Sequence, residues 1–368
     1  MFAGRFPQSK PLSCTFIQNA PIYEYHEIMK KPAASSRKNV TINDIARQAN
    51  VSKSTVSRVL NDSTPVNEDK RAAVLEAMKA MNFEPNIFAR SLAGGQTKTI
   101  GILTQNIGSP FYDGISQGVL SRLTGTSYSP IFADGQWKTE IGRAAVETLV
   151  GRKVDGLILV GGRLPMEQLH NLRQRLPCIT VGRKIDGWEL QCLYVDNDEG
   201  AFQATNHLIG LGHRKIAHVT GIIDHPDSIQ RLEGYKRALQ EASIAFDEEL
   251  ICEGLFDGDS GVKAIETLLS RGKHFTALFA ANDLTAFGAR LALHRQGIGV
   301  PEDVSIIGFD DQLEASFATP PLTSVRQPAK EMGEAAADAL VKLINKQSYE
   351  LPDFPPELII RESTREVK

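Results

Sequence analysis

Four polar side chains, Lys53, Ser54, Ser57 and Arg58, share a short stretch with Val56, Val59 and Leu60. Wound as a helix, that stretch turns its apolar residues inward and presents the polar ones outward. Arginine can bond bidentately to guanine O6 and N7, while serine and lysine can reach bases or phosphates. As the second helix of a helix-turn-helix, such a face would lie in the major groove of DNA. The same pattern also describes the solvated side of an ordinary helical bundle, and the four residues alone leave both readings open.

Catalytic constellations are missing. Gly114-Ile-Ser-Gln-Gly118 fits the hydrolase pattern GxSxG, but a nucleophile elbow sits directly between a strand and a helix. Here the first strand ends near Leu103, which puts Ser116 well inside the following helix. There is no GxGxxG, P-loop or HExxH, and Asp196-Asn-Asp-Glu-Gly200 departs from calcium-loop spacing. Cys14, Cys178, Cys192 and Cys252 are scattered without a CxxC pair, against a disulfide framework or zinc site and in keeping with a reducing compartment. His170, His225 and His274 show no metal spacing. The sequence therefore predicts a protein that is not an enzyme and has no metal or cofactor.

The elements that would position these residues fall into three segments. Thr41-Ile-Asn-Asp44 reads as a capped helix start, with Ile42, Ile45, Ala46 and Ala49 at helical spacing. Asn50-Val51-Ser52 breaks the run, and Ser52 can cap a second helix from Lys53 to about Asn61. Asn67 can cap a third, with Glu68 and Asp69 in its first turn and Val74, Ala77, Met78 and Met81 as its stripe. After Pro85, the piece 86–92 closes on Gly94-Gly95 and would be a marginal helix by itself. From Thr99, apolar runs at Ile100–Leu103, Gly156–Val160, Cys178–Val181, Leu193–Val195, Ile216–Val219, Ala277–Ala280 and Val304–Ile307 alternate with helical stretches. That rhythm predicts parallel α/β sheet covered on both faces, in two lobes.

Charge divides along the same lines. The 368-residue chain has a net charge of -3, yet residues 29–98 carry +6 and those beyond them -9. A basic head on an acidic body points to a binding module attached to something else. No apolar run is long enough to span a bilayer, and the first 28 residues lack the apolar stretch of a secretory signal. They read as a disordered tail, with Met29 an alternative start.

These motifs together resemble the LacI/GalR family of bacterial repressors. The resemblance rests on Val40-Thr-Ile-Asn-Asp-Ile-Ala46, Asn50-Val-Ser-Lys-Ser-Thr-Val-Ser-Arg-Val-Leu-Asn61 and Pro85-Asn86…Ala89-Arg90-Ser-Leu92. It continues through Ser109-Pro-Phe-Tyr112, Val154-Asp-Gly156, Asp196-Asn197, Gly212-His213, Arg231-x-x-Gly234-Tyr235, Ala281-Asn-Asp283, Gly308-Phe-Asp-Asp311 and Pro320-Pro-Leu-Thr323, covering about residues 40–363. It implies that Lys53, Ser54 and Arg58 read bases, that 86–92 is a hinge helix, and that Leu92 is the apolar wedge in the minor groove. Thr41, Ser52, Thr55, Ser57, Asn61, Asn86 and Ala89 complete the implied DNA-contacting set. Lys53 stands at a position that takes an aromatic elsewhere in the family, so the operator sequence cannot be copied from a relative.

For the core, the resemblance implies a periplasmic-binding-protein type fold: two α/β lobes of parallel sheet, three crossovers and a ligand in the cleft. Arg231, Asn282 and Asp310 match polar effector-contacting positions and Phe256 an aromatic one, a set suited to a sugar. Arg183, Ser109 and Phe111 follow strands and are placed to face the same cleft. Gly182 stands where a relative has a carboxylate, which removes or replaces one hydroxyl contact. Asp196, Asn197 and Asp311 read as loop or cap residues, and His213 as a helix end.

The expected division is a tail at 1–38, a helix-turn-helix domain at 39–83, a hinge and linker at 84–97, a core at 98–363 and a tail at 364–368. Within the core, one lobe takes about 98–195 plus 325–355, and the other about 196–324 plus the C-terminal strand. The expected protein is a cytoplasmic, homodimeric, sequence-specific repressor of carbohydrate-utilisation genes, acting on a pseudo-palindromic double-stranded operator and controlled by a small sugar-like effector. A chain that stops soon after Thr364 favours a dimer over a tetramer. The alternatives are a DNA-independent sugar-binding protein of the periplasmic type and, for the ligand, a purine.

Overall fold

The computed structural model describes residues 40–61, 65–83 and 96–367. They form two units, divided near Asn86.

The head contains three helices, α1 (Ile42–Gln48), α2 (Lys53–Asn61) and α3 (Glu68–Ala80). Thr41 starts α1 through a reciprocal capping box: its N–H donates to Asp44 Oδ2 (3.0 Å) and its Oγ1 accepts the Asp44 N–H (3.4 Å). Asn50 turns the chain with φ +50°, a left-handed conformation that Asn tolerates better than most residues. Asn67 caps α3 by accepting the Asp69 N–H at 2.9 Å. Ile45, Ala46, Val56, Val59, Val74 and Ala77 meet in one small core, two residues from each helix.

The second unit holds two sheets. The first runs β2-β1-β3-β4-β5, all parallel: β1 (Thr99–Thr104), β2 (Ser129–Asp134), β3 (Gly156–Val160), β4 (Cys178–Val181) and β5 (Cys192–Leu193). The helices around it are α4 (Pro110–Leu123), α5 (Thr139–Gly151) and α6 (Met166–Arg175). Alternation along β3 separates its two cores: Ile158 and Val160 join the α4 side, Leu157 and Leu159 the α5 and α6 side.

In the second lobe come α7 (Asn197–Gly210), β6 (Ile216–Val219), α8 (Pro226–Glu241), β7 (Ile251–Cys252), α9 (Gly258–Ser270), β8 (Ala277–Ala280), α10 (Asp283–Arg295), β9 (Ser305–Asp310), α11 (Leu313–Phe317) and β10 (Thr323–Arg326). The chain then returns to the first lobe as α12 (Ala329–Ile344), packed on α4, and crosses back as β11 (Glu357–Ile359), antiparallel to β10. The second sheet is ordered β11-β10-β9-β8-β6-β7. Three crossovers thus join the lobes. At Gly234, a Cβ would lie 2.1 Å from the Asp198 carbonyl oxygen, so only glycine lets α7 and α8 approach this closely.

Two expected strands shift. The run expected at Val304–Ile307 extends to Asp310, which puts a carboxylate at the end of a buried strand. The one expected at Leu193–Val195 is Cys192–Leu193. The strands Ser129–Asp134 and Thr323–Arg326 have no counterpart among the expected apolar runs: Pro130 sits in an edge strand, where a missing donor is tolerated, and Thr-Ser-Val-Arg has one apolar residue.

Candidate functional site

On α2, Val56 and Val59 are buried while Lys53, Ser54 and Arg58 are exposed. Ser52 organises the start of this helix: its Oγ accepts the Thr55 N–H (3.2 Å) and lies 2.7 Å from Ser54 Oγ and 2.9 Å from Thr55 Oγ1. Thr55 and Ser57 are half-buried. Thr41 is held by the α1 cap, Asn61 ends α2, and Asn86, Ala89 and Leu92 lie outside the described residues.

The cleft is built from loops at the carboxyl ends of the strands in both lobes. Arg231 of α8 is 3% exposed. Its Nε donates to Asn197 Oδ1 (2.8 Å), one guanidinium nitrogen donates to the Ala281 carbonyl, and another lies 3.9 Å from Asp310 Oδ1. The guanidinium stacks 3.7 Å from the Phe309 ring centroid and 5.8 Å from that of Phe256. Asp310 closes β9 at φ +106°; its oxygens accept from Gln327 Nε2 (2.8 Å) and Gln312 Nε2 (3.2 Å). Burial pushes its pKa up to about 6, against the lowering influence of Arg231 and the two amides.

Asn282 caps α10 by accepting the Thr285 N–H (2.9 Å), and its Nδ2 donates to the Phe256 carbonyl (3.0 Å). Its amide therefore fixes Phe256. The Phe256 ring lies so tightly on Gly221 that a Cβ there would fall 2.0 Å from it. Arg183 donates to the carbonyls of Leu164 (3.1 Å) and Gly162 (3.4 Å); burial lowers its pKa, and Asp227 opposes that shift. Ser109 precedes α4 without a side-chain capping bond, and Phe111 packs edge-on against Tyr112 at 5.3 Å. A cavity of about 560 Å³ is lined by Phe111, Asp310, Gln312 and Gln327 together with residues of α4 and α12; Arg231, Phe256, Asn282 and Trp137 do not line it.

Several cleft residues escaped the sequence reading. Trp137 stacks on Phe256 (5.9 Å, 19° between planes) and touches His225 (4.8 Å) and Tyr112 (5.5 Å) edge-on, joining the lobes through aromatic rings. Arg163 forms an ion pair with Asp224 across the same gap. His225 caps α8, accepting the Asp227 N–H at Nδ1 (3.2 Å). Its Nε2 and the Oε1 of Gln312 are buried without a hydrogen-bond partner among the described residues. Burial lowers the His225 pKa, with Asp227 opposing and Arg231, Arg163 and Arg183 reinforcing, so a neutral imidazole faces the cleft. His225 stands outside any metal-ligand spacing, and Trp137 carries no spacing signal at all. Asp196 and Asn197 do structural work, capping α7 and holding Arg231, while Asp311 pairs with Arg361 at 2.6 Å. Ser116 lies inside α4 with its hydroxyl bonded to the Tyr112 carbonyl.

The arrangement offers aromatic faces, a carboxylate, guanidiniums and open hydrogen-bonding atoms to a small polar ring. A helix-turn-helix head and a two-lobed core of periplasmic-binding type in one chain define a DNA-binding regulator with a built-in sensor. The pattern of bacterial regulatory proteins of the lacI family matches residues 41–86, and that of the periplasmic binding protein-like domain matches 205–364. HTH-type transcriptional regulator GalR of Escherichia coli K12 is 36% identical, over 88% of this chain and 95% of its own length. A complex of the transcriptional regulator CelR with cellobiose is 35% identical, with a TM-score of 0.65, over 88% of this chain and 99% of that one. A lac repressor dimer bound to operator and the anti-inducer ONPF has a TM-score of 0.78 and 29% identity, over 89% of this chain and 100% of that one. This chain belongs to the LacI/GalR family of bacterial transcriptional regulators, which are DNA-binding proteins and not enzymes. No helix among the described residues is long and apolar enough to cross a membrane.

Proposed function

We propose that this protein is a cytoplasmic, homodimeric repressor of carbohydrate-utilisation genes, released from or fixed to its operator by a small sugar-like effector. The carrying observation is the pairing, in one chain, of the exposed Lys53, Ser54 and Arg58 face with a cleft where Arg231 lies near Asp310 and the Phe256 ring, on which Trp137 stacks. Lys53, Ser54 and Arg58 read bases in the major groove, supported by Thr41, Ser52, Thr55, Ser57 and Asn61, with Asn86, Ala89 and Leu92 acting at the operator centre. Ser109, Phe111, Arg183, Arg231, Phe256, Asn282 and Asp310 meet the effector, and Asn282 also sets Phe256. The domain division is the one expected above: head at 39–83, linker at 84–97, core at 98–363.

A duplex selected by the protein from a random-sequence pool tests the reading. Arg58→Ala is expected to cost about 1–3 kcal/mol on that duplex and to relax selection at one base pair of each half-site. Unchanged affinity and selectivity in that variant would refute the assignment. A thermal-shift panel of sugars and nucleobases tests the cleft, since a ligand at a hundred times its Kd stabilises by about 2.7 kcal/mol.

A further inference from the structure

Asp155 takes part in neither site, yet its carboxylate is among the most heavily used in the core. Oδ1 accepts the N–H of Thr97 (2.7 Å) and its Oγ1 hydroxyl (2.9 Å), and Oδ2 accepts the N–H of Lys98 (2.8 Å). The Thr97 hydroxyl also lies 2.8 Å from the Lys153 carbonyl, and the Asp155 N–H donates to the Thr99 carbonyl (2.8 Å). Lys98 sits at φ +54°, a conformation that L side chains rarely adopt. Its ammonium donates to Gln96 Oε1 (2.6 Å) and lies 4.7 Å from the Tyr128 ring centroid. Two consecutive residues at the entrance to the core are thus clamped to one side chain.

The clamp stands at one end of two neighbouring strands whose other ends reach the cleft. β1 and β3 pair from Ile100↔Gly156 to Leu103↔Leu159. β1 starts directly after Lys98, and β3 directly after Asp155. β3 then leads into Gly161-Gly162-Arg163, whose guanidinium pairs with Asp224 of the other lobe. β3 is buried along its whole length and spans about 17 Å, a close-packed strand between the cleft and the clamp.

We propose that Asp155 is a positioning residue for operator binding: it makes the linker toward the head move with the first lobe, and so sets the spacing between the two heads of a dimer. This rests on the DNA-binding reading above. The test uses the full-length protein, the duplex that the wild type selects from a random-sequence pool, and the same duplex with one base pair inserted at its centre.

Asp155→Asn keeps the shape but leaves only Oδ1 to accept, turning an amide donor toward the Lys98 N–H. Binding is compared at a temperature where circular dichroism shows the variant folded. Wild type is expected to discriminate sharply against the inserted base pair. Asp155→Asn is expected to lose about tenfold of that discrimination, the worth of one charge-assisted hydrogen bond. A merely structural role would lower the melting temperature and leave spacing discrimination intact, and intact discrimination overturns the proposal. If Asp155→Asn does not fold, Thr97→Val decides in the same assay, because it removes the hydroxyl's contacts with Asp155 and the Lys153 carbonyl and keeps both N–H bonds to the carboxylate: reduced discrimination supports the clamp, and wild-type discrimination overturns it. A wild type that selects no duplex overturns the DNA-binding reading, and the proposal with it.

Discussion

Asp310 is 7% exposed, and its carboxyl ionises near pH 6 instead of near 3.8 because it is buried. A raised pKa means that the folded protein holds this proton more tightly than the unfolded chain does. The stability contributed is complete below about pH 3.8 and is lost as pH rises through 6. A sugar hydroxyl donates to the ionised form, so effector affinity runs the other way and strengthens over the same interval. Asp310→Asn is expected to flatten the fall in melting temperature between about pH 4 and pH 6.5, and to bind weakly at every pH. Thermal melts with and without the effector, across that range, check both halves. A pH slope unchanged in the variant would remove Asp310 from its role. At this scale, the resemblance made Arg231 and Asp310 legible in the sequence. The double engagement of Asn282 was not legible, because a residue type fixes what an amide can bond to and not what the fold brings to it.

Trp137 shows how an element can hide a residue from the sequence. The turn Gly135-Gln-Trp-Lys138 follows an edge strand, and both Gln136 (φ +50°) and Trp137 (φ +57°) take the left-handed conformation. Two such residues in succession set the indole between Tyr112 of its own lobe and Phe256 of the other, a placement without apolar period or capping signal. The helices of the head were legible for the opposite reason: Thr41, Asp44, Asn50 and Asn67 act locally, over three residues or fewer, so their chemistry is written beside the element it starts. Trp137→Ala is expected to weaken effector binding by about 0.5–1.5 kcal/mol, the worth of an aromatic stack beyond its area. Indole fluorescence checks the same placement, because the other tryptophan, Trp188, is fully buried in the first lobe. A ligand-induced emission change should vanish in Trp137→Ala; one that persists would mean that the ligand does not lie against this ring.

At the level of the whole molecule, the charge and the exposed apolar surface call for two copies. The +6 of residues 29–98 meets phosphates, while the -9 beyond them is repelled by DNA, so one head alone holds its half-site weakly. Leu313 and Phe317 of α11 are 72% and 77% exposed, and Leu291 of α10 is 45% exposed. Leu313 and Phe317 share one short helix, and a second copy of the chain packed on that helix would cover both. A symmetric pair presents two α2 helices to a pseudo-palindrome, and the second head then binds at high effective concentration. Phe317→Asp places a charge in that contact. It is expected to sediment with the mass of one chain and to bind the selected duplex about a hundredfold more weakly. The slope of log affinity against log salt should fall to about half, because one head displaces half the counterions. Effector binding, which lies within a single chain, should survive. A variant that still sediments as a dimer would place the subunit contact elsewhere on the core.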